Sequence, residues 1–568
     1  MNSNLVGNYL VGQSWQRLLN IVQLSLLLLF LCFAKQSYAL SPSAKQSIEL
    51  EQQRRLQQLE EAKQAVESLQ PLPTIEQPTL PSSSNCFEIK RILFSGNTLF
   101  TSEQLQQEIK FEARCIGIDE INQYLSVISN LYIKNGYVTS RAFLTPQDLT
   151  SGVLEIFILE GRVEALLFNN KPARFLDNAL PSIVGEILNL RDIEQGLDQI
   201  NRLSRYNAKI QLPPGTKQGY SIINVQATSA GIVSGSIGVD NGGQENTGET
   251  QLSMTLKADN LLNGLEQWTL SAKKSSEFRT SQDSQNVAFS IDIPRGYWNA
   301  SYRTSYSDYK QSIDNNSFTF QSTGRTNSHD ADISWLYSRD SDSKTLFKLG
   351  VHHRREKNYI MDTLLKTGSR NLSSASLSVD YSSRFIGGFI TLSPRYVTGT
   401  DWFGGEDDSQ KTSMMPKALF EKLTLATSYT YPLSQVVTLN STLFGQWSDD
   451  TLYGSQRLSI GGLYSVRGFK DTSISGDQGY YWRNEITHRL GQLPYIGNVS
   501  TQWAIDTGSI VKDSRDALEK GSLMGAYVAI NTRSTLLSSQ FSIGLPIETP
   551  SRLKGDDYVV NYQLTMAF

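Results

Sequence analysis

The residues best placed to do chemistry form the run Val466-Arg467-Gly468-Phe469. The loop around this run is rich in glycine, at positions Gly461, Gly462, Gly468, Gly476 and Gly479. An arginine between apolar neighbours in such a loop is either solvated or folded back into a polar interior, where its charge needs a carboxylate. The second reading matters if the surrounding segments form a membrane barrel, because the lumen of a barrel is polar and holds buried charge.

Residues 229–568 read as a long series of strands separated by turns rich in Gly, Asp, Asn and Ser. In the last strand, which ends at Phe568, apolar or aromatic residues alternate with mainly polar ones, and the same alternation recurs over 298–307, 422–431 and 437–447. Beyond the N-terminal leader no apolar run is long enough to cross a membrane as a helix, so a closed transmembrane β-barrel is predicted. At about ten residues a strand, with a turn or loop of similar length, the segment has room for about 16 antiparallel strands.

Residues 1–39 are predicted to be a secretory signal peptide. An apolar core over 21–34 follows Arg17, and small residues up to Ala39 suit a signal peptidase. The core is too short and wrongly flanked for a membrane-spanning helix. The chain is therefore expected to be exported.

Cleavage after Ala39 leaves two cysteines, Cys86 and Cys115. In an exported chain one disulfide between them is expected, contributing about 3–4 kcal/mol by the loop-entropy model. Two free buried thiols are the alternative. Cys86 is expected at the start of the first strand of the following globular unit and Cys115 at the end of its first helix.

The part between the predicted signal peptide and the predicted barrel contains three regions of different composition. Residues 40–70 are predicted to form a helix, which Ser41-Pro42 can cap and start, with only a thin apolar stripe. Such a helix is either a solvated spacer or housed in a wet channel. Residues 71–85, rich in Pro and Ser, are predicted to be an extended linker. Residues 86–162 and 163–228 are predicted to be two copies of one small α+β unit, each with element order β-α-α-β-β.

Two such units before a C-terminal barrel resemble the transporters of two-partner secretion, called TpsB proteins, whose periplasmic units are polypeptide-transport-associated (POTRA) domains. The resemblance covers essentially the whole mature chain. Four motifs are similar to that family's sequences: Tyr132-x3-Gly136-Tyr137, Leu212-Pro213-Pro214-Gly215, Asp240-Asn241-Gly242 and Val466-Arg467-Gly468-Phe469. A fifth, Ile505-Asp506-Thr507-Gly508, is similar to a family motif that ends in Asp-x-Gly, although Ala504 stands where the family usually has Phe or Gly.

The resemblance implies a membrane β-barrel of about 16 antiparallel strands over 229–568, preceded by POTRA 1 (86–162) and POTRA 2 (163–228). It also implies that the helix at 40–70 plugs the pore, in place of the solvated spacer. The protein is expected in the outer membrane of a Gram-negative bacterium, with its POTRA domains in the periplasm. There they would recognise an unfolded exoprotein, which the barrel exports without ATP.

The expected partners are a large secreted exoprotein (a haemolysin, an adhesin or a contact-dependent inhibition toxin), outer-membrane lipids, and the barrel-assembly machinery for insertion. The alternative function is that of an outer-membrane barrel-assembly insertase of the same superfamily. Such an insertase normally carries more POTRA domains than the two for which this chain has room.

The resemblance gives Arg467 a partner. Along the predicted strand 501–508, Trp503 and Ile505 belong toward lipid, so Asp506 points into the lumen. A hydrogen-bonded pair between Arg467 and Asp506 would then pin the loop in one position. The expected loop-anchoring motif is Val466, Arg467, Gly468, Phe469, Asp506 and Gly508. The same parity on the strand at 480–490 predicts further lumenal charges at Arg483, Glu485 and Arg489.

Other function classes find little support in the sequence. The net charge of -3 shows no excess of positive charge that could bind nucleic acid, so no nucleic-acid partner is expected. The precursor has four His and no zinc-protease, nucleophile-elbow or Walker motif, so we expect neither an enzyme nor a bound cofactor. His352 and His353 are neighbours that point to opposite faces of any strand, so no metal site is expected.

Overall fold

The computed structural model describes residues 41–67, 86–276, 281–315, 318–412, 415–511, 520–553, 555 and 557–568. The predicted signal peptide, the predicted linker and both ends of the predicted N-terminal helix lie outside these residues. The helices are α1 (Pro42–Glu67), α2 (Ser102–Ile109), α3 (Ile118–Lys134), α4 (Leu176–Ala179) and α5 (Leu190–Asn201). Among the helices in the described segments, none is both long and apolar enough to cross a membrane.

The first globular unit contains five strands rather than the three predicted. They are β1 (Cys86–Ile89), β2 (Arg91–Ser95), β3 (Arg114–Gly117), β4 (Arg141–Leu144) and β5 (Val153–Leu159). Strands β2, β5 and β4 form one sheet in that order, while β1 and β3 pair as a separate antiparallel ribbon. Helices α2 and α3 cover the core-facing side of the three-stranded sheet, where Leu154, Ile156 and Ile158 are buried.

A disulfide joins Cys86 to Cys115. The expectation that it ties a strand to the end of a helix is wrong, because both cysteines lie in the β1–β3 ribbon. The physical reason is the early end of α2: Lys110 adopts the left-handed conformation (φ 49°) and closes the helix at Ile109. The residues after Lys110 are then free to run as a strand beside β1.

A buried carboxylate fixes the position of α3 in this unit. The Tyr132 hydroxyl donates to Glu160 at 2.8 Å, and the backbone N–H groups of Thr98 and Leu99 donate to the same carboxylate at 2.8 and 3.0 Å. Burial alone would raise the pKa of Glu160, but these hydrogen bonds outweigh it and lower the pKa. Tyr132 of the Tyr132-x3-Gly136-Tyr137 motif is thus a packing and hydrogen-bonding residue.

The second unit is built from β6 (Arg162–Phe168), β7 (Tyr206–Gln211) and β8 (Tyr220–Ser229), in the order β6-β8-β7, with α4 and α5 packed on one face. It docks on the nearest turns of the barrel. Leu265 of one such turn is fully buried in the unit's core. Arg339 of another donates to Asp198 on α5 at 2.5 Å, with its side chain only 3% exposed. The contact therefore has an apolar centre and a charged rim.

Residues from Val233 onward form a closed antiparallel barrel of sixteen strands, so the predicted architecture is confirmed. Its strands are β9 (Val233–Asp240), β10 (Gln251–Asp259), β11 (Gln267–Ser275), β12 (Asp283–Arg295), β13 (Trp298–Asn315), β14 (Phe318–Arg339), β15 (Ser343–Ile360), β17 (Arg370–Phe385), β18 (Gly388–Thr400), β19 (Glu421–Pro432), β20 (Val437–Trp447), β23 (Gly479–Leu493), β24 (Gly497–Ile510), β25 (Gly521–Arg533), β26 (Leu537–Glu548) and β27 (Val559–Ala567). Three short strands belong to the loops: β16 (Thr363–Leu364), β21 (Leu458–Ile460) and β22 (Ile474–Gly476). Pairing of β27 with β9 closes the barrel and leaves no open edge.

Helix α1 lies inside the barrel. Near its start Ser43 donates to Glu356, which lies toward the end of β15 that is remote from the globular units. Near its end, the backbone carbonyl of Glu67 accepts from Arg384 at the opposite end of the wall. The helix therefore follows the pore from one mouth toward the other.

Candidate functional site: the lumenal loop and the pore helix

The loop between β20 and β23 folds back into the lumen. Its short strands β21 and β22 pair with each other, and Val466 and Phe469 are buried at 0% and 3% exposure. These two side chains join an apolar cluster with Tyr481 and Leu523 on the inner wall and Leu59 of α1. We call residues 448–478 the lumenal loop. Its apolar residues thus have a core of their own inside a polar pore.

Arg467 is held by carboxylates on two neighbouring strands. Its Nε donates to Asp506 Oδ2 at 2.6 Å and its Nη2 to Oδ1 at 2.8 Å, a two-pronged contact on β24. Its Nη1 donates to Glu485 on β23 at 2.7 Å. The side chains of Arg467 and Asp506 are 3% and 0% exposed, so the pair is almost fully removed from water. A bidentate, charge-assisted contact of this kind fixes position and orientation together.

The backbone of the loop is fastened at the same point. The Arg467 N–H donates to Asp506 Oδ2 at 3.1 Å, so the carboxylate binds both side chain and main chain of one residue. The Tyr527 ring on β25 lies 4.7 Å from the guanidinium carbon, a cation–π contact from a third strand. Sequence reasoning missed Tyr527, because nothing in its local pattern separates it from other lumenal aromatics.

Three glycines on adjacent strands let the loop backbone touch the wall. A Cβ at Gly525 would lie 1.9 Å from the Arg467 carbonyl oxygen, and one at Gly544 would lie 2.8 Å from the Gly468 Cα. A Cβ at Gly508 would lie 3.0 Å from a Val466 methyl carbon. Gly508 belonged to the predicted motif, but Gly525 and Gly544 were missed. We call Gly508, Gly525 and Gly544 the glycine track.

Gly468 needs to be glycine for two reasons. Its φ of +105° lies outside the range that L-residues usually adopt, and its own Cβ would meet the Leu545 carbonyl oxygen at 2.7 Å. The loop backbone therefore turns sharply here while pressed against β26. A larger residue would have to change both the turn and the distance to the wall.

The predicted lumenal charges are only partly brought together. Glu485 joins the Arg467 pair, and Arg483, on the same inward face of β23, donates to the Leu463 carbonyl of the lumenal loop at 3.2 Å. Arg489 has the same parity but is exposed near the end of the strand, away from the cluster. The carboxylates Asp506 and Glu485 thus face two arginines on the loop and the wall.

Helix α1 meets the pore through scattered polar contacts. Gln52 donates to the Ser459 carbonyl of the lumenal loop at 2.7 Å, and Arg354 of β15 donates to the Ser47 hydroxyl at 2.7 Å. Arg55 lies over the Phe444 ring at 3.5 Å. Apolar burial is limited to a few residues, which are Ala44, Ile48, Leu59 and Val66.

The family's sequence profile, described as haemolysin secretion/activation protein ShlB/FhaC/HecB, matches residues 219–532. The chain belongs to this family. Profiles of a ShlB-type POTRA domain and of a further POTRA domain match residues 87–161 and 162–214. The two α+β units are therefore POTRA domains, POTRA 1 and POTRA 2.

Similar proteins agree with this assignment. The outer membrane transporter CdiB of Dickeya dadantii is 39% identical over 95% of this chain and 98% of its own length. The CdiB of Escherichia coli is 37% identical over 95% of this chain and 93% of its own. The solved structure of CdiB from Escherichia coli has a TM-score of 0.90, with 37% identity over 94% of this chain and 100% of that one.

The protein is thus an outer-membrane transporter of the TpsB type, a member of two-partner secretion, with its POTRA domains in the periplasm. This decides between the two functions left open by the sequence, in favour of the secretion transporter. Family and fold are those of a transporter. Within the described residues no group of three or more His, Cys, Asp and Glu side chains is placed to hold a metal ion.

Proposed function

We propose that the protein captures an unfolded exoprotein on its POTRA domains and passes it through the barrel without ATP, after α1 has left the pore. The lumenal loop stays fixed to the wall during this cycle. The observation that carries the proposal is the difference in how the two lumenal elements are held. Arg467 of the loop is in a dry bidentate ion pair, while α1 is held by separate hydrogen bonds and by two long, partly exposed ion pairs, Lys45 to Asp471 and Arg54 to Asp330, both at 3.8 Å. Water can replace each of these helix contacts singly.

POTRA 1 offers the surface for capture. Its sheet order leaves β2 and β4 as edges, and an extended peptide can add to such an edge through backbone hydrogen bonds. Leu93 on β2 and Phe143 on β4 are both 45% exposed on the sheet face away from the core. Backbone pairing at an edge requires no particular sequence, while these apolar side chains select extended, unfolded cargo.

The cargo is proposed to be a large exoprotein, a contact-dependent inhibition toxin rather than a haemolysin or an adhesin. Three relatives named CdiB are 36–39% identical to this chain, whereas the haemolysin transporters HpmB and ShlB are 27% and 26% identical. A further relative, CdiB-2 of Burkholderia pseudomallei, is 25% identical. Outer-membrane lipids and the barrel-assembly machinery are proposed as its further partners, because a closed barrel must be inserted into the bilayer.

Secretion of the cognate exoprotein into the medium tests the capture step. Leu93→Asp with Phe143→Asp is expected to abolish secretion at unchanged outer-membrane abundance, because an apolar segment that covers this face would have to remove the new carboxylates from water. Phe87→Asp is the matched control, since Phe87 is 37% exposed on the separate ribbon. Normal secretion by the double variant would overturn capture at this face. Translocation by proteoliposomes without any nucleotide tests the claim that ATP is not needed.

A further inference from the structure

Three cations on the membrane-facing side of the barrel have no partner among the residues that the structure describes. Arg325 on β14 and Arg355 and Lys357 on β15 are exposed, and none of them makes an ion pair or hydrogen bond within the described part of the chain. We call these three residues the outer cationic patch. Strand parity places them outside the barrel, because Ile333 on β14 and Leu349 on β15 share their faces and are 53% and 62% exposed.

The height of the patch follows from the register. Trp335 and Phe347 are cross-strand neighbours at the periplasmic end, where barrels carry an aromatic girdle. An apolar band ~25 Å tall, crossed by strands tilted by ~40° that rise ~3.3 Å per residue, takes about ten residues. Arg325 lies ten residues before Trp335 on β14, and Lys357 lies ten residues after Phe347 on β15. Arg325 and Lys357 are also cross-strand neighbours. The patch therefore lies at the extracellular interface of the membrane.

The protein does not neutralise this charge itself. Arg325 and Lys357 stand directly opposite each other, which is unfavourable for like charges on adjacent strands. Asp308, opposite Arg325 on β13, instead accepts from the Tyr306 hydroxyl at 2.9 Å and from Gln285 at 2.8 Å. The patch thus keeps a net positive charge at the membrane surface, with no ion pair to a described residue.

Lys274, another membrane-facing cation near the same end of the barrel, differs from the three cations of the patch because it is paired. Lys274 on β11 donates to Asp283 on β12 at 2.7 Å and so has its counter-charge within the protein. The patch on β14 and β15 differs from Lys274 because none of its three cations has a described carboxylate within ion-pair distance, and Asp308 opposite Arg325 is engaged by Tyr306 and Gln285. An anion from the surroundings is the remaining way to balance it.

Apolar side chains beside the patch indicate what kind of anion. Trp402 and Phe403, 48% and 69% exposed, lie in a loop folded onto the same wall. The Trp402 carbonyl accepts from the Ser373 hydroxyl at 2.6 Å, and the Phe403 ring lies 5.9 Å from that of His353 on β15. The surface therefore pairs cations with exposed aromatic rings, which suits a ligand with phosphates at one end and acyl chains at the other.

We propose that the outer cationic patch binds the phosphate groups of lipopolysaccharide, the phosphorylated glycolipid of the outer leaflet. Arg325 and Arg355 hold phosphate oxygens through their planar guanidinium groups, and Lys357 adds a point charge. Trp402 and Phe403 lie against the acyl chains. The bound glycolipid relieves the repulsion between Arg325 and Lys357 and so stabilises β14 and β15 in the membrane.

The test is binding of purified lipopolysaccharide to the full-length protein in detergent. Arg325→Gln/Arg355→Gln/Lys357→Gln is expected to weaken binding about tenfold or more, because all three charge-assisted contacts to phosphate are lost. Lys90→Gln/Arg91→Gln/Lys134→Gln removes the same charge from the exposed surface of POTRA 1 and is expected to bind like the wild type. Equal binding by wild type and patch variant would overturn the proposal.

Competition on the wild-type protein keeps the proposal testable even if the patch variant fails to fold. Dephosphorylated lipopolysaccharide is expected to compete poorly. Displacement by inorganic phosphate alone would show a simple anion site, and equally strong competition by phosphatidylglycerol would show a general anionic-lipid surface; either result would contradict the proposal. Heat-modifiable migration of the variant shows whether its barrel has folded.

Discussion

The lumenal loop and helix α1 fill the same pore but are held in different ways. The loop is fixed by a bidentate ion pair at 0–3% exposure and by a backbone pressed onto the glycine track. The helix is held by separate contacts, which include single hydrogen bonds such as Gln52 to the Ser459 carbonyl, long ion pairs such as Lys45 to Asp471 at 3.8 Å, and the Arg55–Phe444 contact. Breaking the ion pair of the loop leaves a buried charge without a partner, whereas water can replace the contacts of the helix one at a time at a smaller loss. The difference indicates a fixed element and a removable one.

The largest effect is expected from breaking the loop's ion pair. Arg467→Ala leaves the Asp506 carboxylate buried and unpaired, which costs about 3–5 kcal/mol locally. The barrel, with its full ladder of strand hydrogen bonds, should still assemble and migrate as a heat-modifiable band. Secretion of the exoprotein is expected to fall severely at equal membrane abundance.

Two further variants make this prediction specific. Asp506→Ala should show the same phenotype, and the double variant should be little worse than either single one, because both changes remove one interaction. Arg489→Ala, an exposed arginine of the same strand face as Arg483, is the control and should secrete normally. A double variant much worse than both singles would mean that the two residues act separately.

The second prediction separates steric from electrostatic anchoring. Gly525→Ala leaves every charge in place but puts a methyl group 1.9 Å from the Arg467 carbonyl oxygen. The loop must then move away from the wall, so secretion should fall, although less than in Arg467→Ala because the ion pair can partly re-form. Gly231→Ala is the control, since its methyl group would meet an ordinary contact at 3.4 Å. Full secretion by Gly525→Ala would show that the glycine track is not needed.

The sequence predicts those features of the lumenal site that depend on which face of a strand a residue occupies. Alternation along residues 501–508 and 480–490 was enough to turn Asp506, Arg483 and Glu485 toward the lumen. It could not reveal Gly525 and Gly544, because a glycine in a strand has the same appearance whether or not another backbone touches it. Where the lumenal loop lies against β24, β25 and β26 is fixed by contacts between residues far apart in the sequence, a non-local property.

The wrong prediction for Cys115 in POTRA 1, which was expected at the end of a helix but lies in strand β3, has a local cause. The sequence around Cys115 carries no strong strand pattern, and the end of α2 depends on Lys110 adopting a left-handed conformation that favours glycine or asparagine. A lysine there gives no signal for a helix end. The β1–β3 ribbon was therefore missed, although the two cysteines that it carries were correctly expected to be the candidates for a disulfide.

The third prediction concerns the removable element. Deleting residues 41–70 should raise the conductance of the channel in planar bilayers several-fold, since α1 follows the pore from Ser43 to Glu67. Export should remain largely intact, because the loop keeps its own contacts to the wall. Unchanged conductance together with lost export would mean that the helix belongs to the path of the substrate.

The smallest effect is expected from loosening one contact of the helix. Glu356 accepts from Ser41 at 3.1 Å and from Ser43, and it pairs with Arg354 at 3.2 Å. Glu356→Gln keeps the shape but removes the charge, so about 1–2 kcal/mol of helix binding should be lost and channel openings should become more frequent. Glu60→Gln is the matched control, because the contacts of Glu60 are to Lys63 and Gln64 within the helix. Equal opening frequencies in the two variants would exclude a latch at Glu356.

The most direct test locks each element in turn with a pair of cysteines and measures secretion. Ser43→Cys/Glu356→Cys ties α1 to the wall, and Val466→Cys/Gly508→Cys ties the lumenal loop at a point where a Cβ on residue 508 would lie 3.0 Å from a Val466 methyl carbon. With the pairs oxidised, the first variant should stop secreting and recover on reduction, while the second should secrete like the wild type. A locked helix that still permits export, or a locked loop that blocks it, would contradict the account.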